Sequence, residues 1–181
     1  MPLTDTEKKT LLLIARTAIE SYVQDKRVPG IEVKDPGLLD ERGAFVSLHK
    51  SGQLRGCIGT FSPDGPLYKT VVEMSVSAAA KDPRFNPVTP YELNDIEIEI
   101  SALTPLREIK EIRELEVGRH GIYVIKGISR GVLLPQVAIE QGYGREEFLS
   151  ATCMKAGLNP GCWREGAKIF VFEAEIFREE G

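Results

Sequence analysis

Two short alternating runs, Ala44 to His49 and Gln53 to Thr60, are separated only by Lys50, Ser51 and Gly52. Side chains alternate across a strand, so each run carries an apolar face and a wetter one. A three-residue connection is far too short for a crossover helix. The strands must therefore pair antiparallel, with Gly52 supplying the left-handed loop position.

The rest of the chain follows the same pattern. Ile96, Ile98 and Ile100 alternate with Glu97, Glu99 and Ser101, as in a strand with one solvated face. Residues 121–125 and 130–134 read as a second hairpin. Ala167 to Phe177 reads as one long terminal strand with Phe170, Phe172, Ala174 and Ile176 toward the core. Thr4 and Glu7 form a capping box ahead of Leu11, Leu12, Ala15, Ala18, Ile19 and Tyr22 at helical spacing, which predicts a helix from 5 to about 24. Pro66 to Lys81, Leu134 to Gln141 and Glu146 to Gly157 read as further helices, and residues 25–43 as an ordered surface loop. Helices and strands do not alternate strictly. The class is α+β, a mainly antiparallel sheet flanked by helices.

A chain of 181 residues that is 42% hydrophobic and 28% charged supports one packed unit over 1–181 or two fused lobes. Cys57, Cys153 and Cys162 are odd in number and without a paired C-x-x-C element, so the spacing predicts neither a disulfide framework nor a zinc site; Cys153 and Cys162 read as core and loop thiols. The apolar run Leu11 to Ile14 is too short for a membrane span or a signal peptide, and a cytoplasmic setting is expected. With a net charge of −4 and its basic residues scattered, the chain carries no electrostatic footprint for nucleic acid.

The stretch QLRGCIGT, 53–60, puts an arginine and a thiol between glycines. With a three-residue loop, His49 pairs with Gln53, Leu48 with Leu54, Ser47 with Arg55 and Phe45 with Cys57, which keeps the apolar side chains on one face. Arg55 and Cys57 then share the polar face with Ser47 and His49. Gly56 and Gly59 leave space beside the thiol for backbone or a ligand. Cys57 is a candidate nucleophile in this setting, or else a small packing residue. Arg55 is a candidate anion clamp with the amides of Gly56 and Gly59, or else a structural ion pair. In Asp82-Pro83-Arg84-Phe85, Arg84 is a candidate ligand contact, or else Asp82 pairs with Arg84 and fixes the turn. In that register His49 lies about 13 Å along the face, too far for direct proton transfer to the thiol. His120 is either a base or a turn histidine. Gln136, Glu140 and Tyr143 line a pocket or form a solvated side. The chain offers no metal-ligand set.

These residues also carry a resemblance. LRGCIG at 54–59, SAAAKDPRFNPV at 77–88, EIEIS at 97–101, HGIYV at 120–124 and LLPQVAIEQGY at 133–143 resemble the AMMECR family, whose bacterial and archaeal members are called AmmeMemoRadiSam system protein A. The resemblance implies an α+β fold, two unequal lobes with a cleft, and association with a Memo-like dioxygenase-type protein and a radical-SAM protein. It supplies no activity or cofactor. The residues and the resemblance together suggest a small-molecule-modifying enzyme, or a subunit of one, with a cleft at Arg55 and Cys57. The alternative is a non-catalytic binding or adaptor module.

Overall fold

The structure, a computed structural model, describes residues 2–180. In chain order the elements are α1 (Asp5–Asp25), α2 (Pro36–Leu39), β1 (Ala44–Lys50), β2 (Gln53–Thr60), α3 (Leu67–Ala80), β3 (Ile96–Leu103), β4 (Arg107–Ile109), β5 (Gly121–Lys126), β6 (Ser129–Leu133), α4 (Pro135–Gln141), α5 (Arg145–Lys155), β7 (Lys168–Phe172) and β8 (Ala174–Arg178). The pairings β1–β2, β1–β3, β4–β7, β5–β6 and β5–β7 are antiparallel, and the class is α+β as expected. The chain forms two compact units. No helix among the described residues is long and apolar enough to cross a membrane.

The first unit runs to Leu103 and includes the segment from Glu175 onward. Its sheet has the order β2-β1-β3-β8. The capping box forms as read: the Thr4 hydroxyl accepts the Glu7 amide at 3.2 Å, and the Glu7 carboxylate accepts the Thr4 amide at 2.8 Å. α1 ends at Lys26, which adopts a left-handed conformation. α1 and α3 cover one face of the sheet, where Val46, Leu48, Ile98 and Ile100 are fully buried with Leu11, Ile19 and Val71. Each such side chain contributes roughly 1.5–3 kcal/mol on burial, so this layer supplies most of the unit's cohesion. The segment expected as loop contains α2, started by Pro36 and anchored by fully buried Leu38.

The second unit, Thr104–Ala174, carries the sheet β4-β7-β5-β6 with α5 packed on it. Ile122, Val124, Phe148, Leu149 and Val171 form its core.

Two expectations are corrected here. The terminal strand is not continuous: it breaks at Glu173, whose amide donates to the Thr104 hydroxyl and whose carbonyl accepts the Thr104 amide, both at 2.8 Å. One residue between β7 and β8 rephases the alternation. Already within β7 it is Ile169 and Val171 that join the core of the second unit, while Phe170 is half-buried and Phe172 buried; after the break Ile176 is exposed and Phe177 packs instead. The second correction concerns Cys153 and Cys162, which are joined in a disulfide with Cα atoms 5.9 Å apart. Gly157, left-handed at φ 76°, reverses the chain and brings the turn at 162–164 back against α5. Closing so short a loop restricts the unfolded chain by about 2–3 kcal/mol.

Candidate functional site

The β1–β2 hairpin departs from the expected register. Ser51 and Gly52 both have positive φ, 52° and 74°, so the turn has two residues and Lys50 pairs with Gln53. Such a register alone would split the apolar set. A β-bulge resolves the conflict: pairing shifts between His49↔Leu54 and Leu48↔Gly56, leaving Arg55 as the extra residue. Beyond the bulge Val46 opposes Ile58 on the helix-covered face, while Ser47 opposes Cys57 and Phe45 opposes Gly59 on the other. Ser47 and Cys57 do share a face. Their partnership is direct, with the Ser47 hydroxyl 3.2 Å from the Cys57 sulfur.

The glycine clearances are occupied. A Cβ at Gly56 would lie well under 3.0 Å from the Ala78 carbonyl oxygen of α3, so Gly56 is what lets helix and strand touch. A Cβ at Gly59 would meet the ring of Phe45. That ring also stands edge-on to Phe61, with centroids 5.0 Å apart.

Both arginines are engaged by carboxylates. From the bulge, Arg55 Nε and Nη2 donate to Glu92 at 3.0 and 3.2 Å, and Nη1 donates to the Asn86 carbonyl at 2.9 Å. Glu92 also accepts from Lys50 Nζ at 3.1 Å and from the Thr89 amide at 2.9 Å. The Arg55 hydrogen bond is the main reason its carboxyl is pulled down to about 2; those from Thr89 and Lys50 add to it, against the opposing effect of burial. Neither Glu92 nor its link to Arg55 was anticipated, although Thr89 followed three residues later by Glu92 is a capping-box signal.

Asp82 follows α3 and is almost fully buried. Its Oδ2 accepts the Cys57 amide at 2.9 Å and Arg84 Nη2 at 2.8 Å; its Oδ1 accepts the Arg84 amide and Nε, both at 3.0 Å. Arg84 Nη2 in turn donates to the Cys57 carbonyl at 3.3 Å. Because β2 is an edge strand, this acid–guanidinium pair satisfies the Cys57 peptide where a further strand would pair. The carboxyl of Asp82 lies well below its ordinary value, chiefly through the Arg84 side chain. The side chain of Arg84 is 55% exposed, and its Nη1 makes no hydrogen bond among the described residues.

The two sequence blocks that flank α3 thus form one frame around a half-buried free thiol. His49 lies two residues from Ser47 on the same face, so the bulged register makes it a diagonal neighbour of Cys57, at a typical spacing of about 7–8 Å. In the second unit, buried His120 accepts the Glu116 amide at Nδ1 (3.0 Å), and burial is the first cause lowering its pKa. Gln136 and Glu140 are exposed, while Tyr143 packs on the core. Among the described residues no group of three or more His, Cys, Asp or Glu side chains is arranged to hold a metal.

The frame sits in a chain with many relatives. A protein of Methanothermobacter thermautotrophicus is 44% identical over 99% of this chain and 98% of its own length. One of Thermococcus onnurineus is 46% identical over 94% of this chain and 89% of its own. The crystal structure of the uncharacterised Pyrococcus horikoshii protein PH0010 superposes with a TM-score of 0.81 at 40% identity, covering 98% of this chain and 94% of that one. The family-wide sequence pattern of AMMECR1 matches residues 12–177, and by that span and these relatives the chain belongs to the AMMECR1 family.

Proposed function

We propose that the chain is a small-molecule-modifying enzyme, or a subunit of one, whose reactive group is the Cys57 thiol. The observation that supports this reading is a free sulfur 3.2 Å from the Ser47 hydroxyl, on a peptide held at both its N–H and its C=O by Asp82 and Arg84. Fixing a nucleophile in this way is what orientation effects require. Ser47 hydrogen-bonds the sulfur, and His49 on the same face is placed to exchange a proton with a bound substrate. Arg55, Gly56 and Gly59 act as positioning residues in this reading. Arg84 offers its unpaired Nη1 to an anionic substrate group.

The test is complementation of a gene deletion in the native host, read by untargeted metabolite profiling. A small molecule that accumulates in the deletion strain is expected to remain high with Cys57→Ala and with Cys57→Ser. Its return to normal with both variants would remove the catalytic role of the thiol.

A second reading, a non-catalytic adaptor for a Memo-like or radical-SAM partner, is favoured by Tyr91. Tyr91 is 94% exposed on a segment pinned by its neighbour Glu92, so a partner would find the aromatic anchor already ordered. This reading predicts co-purification with such a partner that is lost in Tyr91→Ala. Absence of association at micromolar concentrations counts against it.

A further inference from the structure

A cavity of ≈ 350 Å³ lies in the first unit between the segment after α1 and the outer side of α3. Val28, Pro29, Ile31, Tyr68, Val72 and Val76 give it apolar walls, and its volume is in the range of small-ligand sites. Val28 remains 53% exposed, an apolar side chain left facing water at the cavity. Lys69, Glu73, Ser77 and Lys81 also line it, at four-residue steps along α3 and its C-cap. None of these three charged side chains has an ion-pair partner among the described residues. Lys69 precedes Glu73, the less favourable order for a pair four residues apart on a helix, so the two charges have little tendency to neutralise each other.

We infer that this cavity binds a small apolar zwitterion of the α-amino-acid class. The apolar side chain fills the space between Val28 and Val72, the ammonium pairs with Glu73, and the carboxylate pairs with Lys69 or Lys81. A plain carboxylate would meet Glu73 unfavourably, and a plain amine would meet the lysines. An occupant with both charges beside an apolar body meets both signs of charge on the rim. The site is separate from Cys57, which lies on the sheet face opposite α3, and it does not depend on the thiol's chemistry.

The test is an NMR titration of the full chain with L-leucine, 4-methylpentanoate, which lacks the ammonium, and 3-methylbutylamine, which lacks the carboxylate. Saturable amide shifts are expected in 28–31 and 68–81, with leucine binding about fivefold tighter than either analogue. Glu73→Gln is expected to weaken leucine about three- to fivefold, as loss of an exposed ion pair does, and Val28→Trp to abolish binding by filling the cavity. Absence of shifts in these segments with both L-leucine and L-phenylalanine overturns the inference. Equal affinity for 4-methylpentanoate overturns the zwitterion assignment.

Discussion

Replacing Gly56 with alanine is expected to destabilise the protein by about 3 kcal/mol or more, the upper end for an overpacked core position. The added methyl group meets the backbone carbonyl of Ala78 in the last turn of α3, and helical backbone cannot swing aside as a side chain can. Relief would require α3 to lift from β2 and open the layer that buries Leu48 and Val71. Gly59→Ala provides the internal comparison. Its methyl group meets the half-buried Phe45 ring, a side chain rather than backbone, so the loss should be smaller. Urea unfolding of both variants measures the difference; equal stability of Gly56→Ala and the native chain would contradict the close approach of helix and strand.

The second large effect is expected at Asp82. Asp82→Asn keeps one acceptor for the Cys57 amide but loses the charge that holds Arg84, at a cost of about 3 kcal/mol for a buried, hydrogen-bonded ion. The pH dependence fixes the assignment. The carboxyl of Asp82 is depressed in the folded state, so its contribution is fully present above the unfolded value of 3.8 and is lost as pH falls. Glu92 behaves likewise, its contribution present above 4.5 and draining away toward about 2. Stability of the native chain should therefore fall steeply below about pH 4.5, and the gap to Asp82→Asn should narrow as Asp82 itself protonates. A gap that stays constant from pH 7 to pH 3 would show that the charge on Asp82 is not what the fold uses.

Periodicity made most of the fold legible. The capped first helix, both hairpins, the isoleucine strand and the helix beginning after Pro66 are set by local pattern and are found within a residue or two. The misses share a cause: each depends on a single residue whose effect is tertiary. Ser51 in a left-handed conformation converts the loop from three residues to two, and the bulge at Arg55 then restores the apolar register that the longer loop was expected to provide. Glu173 divides the last strand because Thr104, far away in sequence, takes its hydrogen bonds. The Cys153–Cys162 link depends on how Gly157 folds the chain back, which spacing alone does not specify. At the site, the polar identities of Arg55, Cys57 and Arg84 were readable. The carboxylates that engage the two arginines lie 37 residues from Arg55 and 2 residues from Arg84, and only the near one suggested itself.

The break at Glu173 also matters for how the chain is made. The second unit is one continuous segment, whereas the first unit needs β8, which follows that whole segment, to complete the sheet begun by β1, β2 and β3. Arg16 waits for the same segment, since its strongest partner is Glu179. During synthesis the edge of β3 therefore stays open until the whole second unit and then β8 have been made, a long-range closure that folds slowly and leaves an unpaired strand exposed meanwhile. The second unit can close first, and the emergence of β8 sets when the unit carrying Cys57 becomes complete.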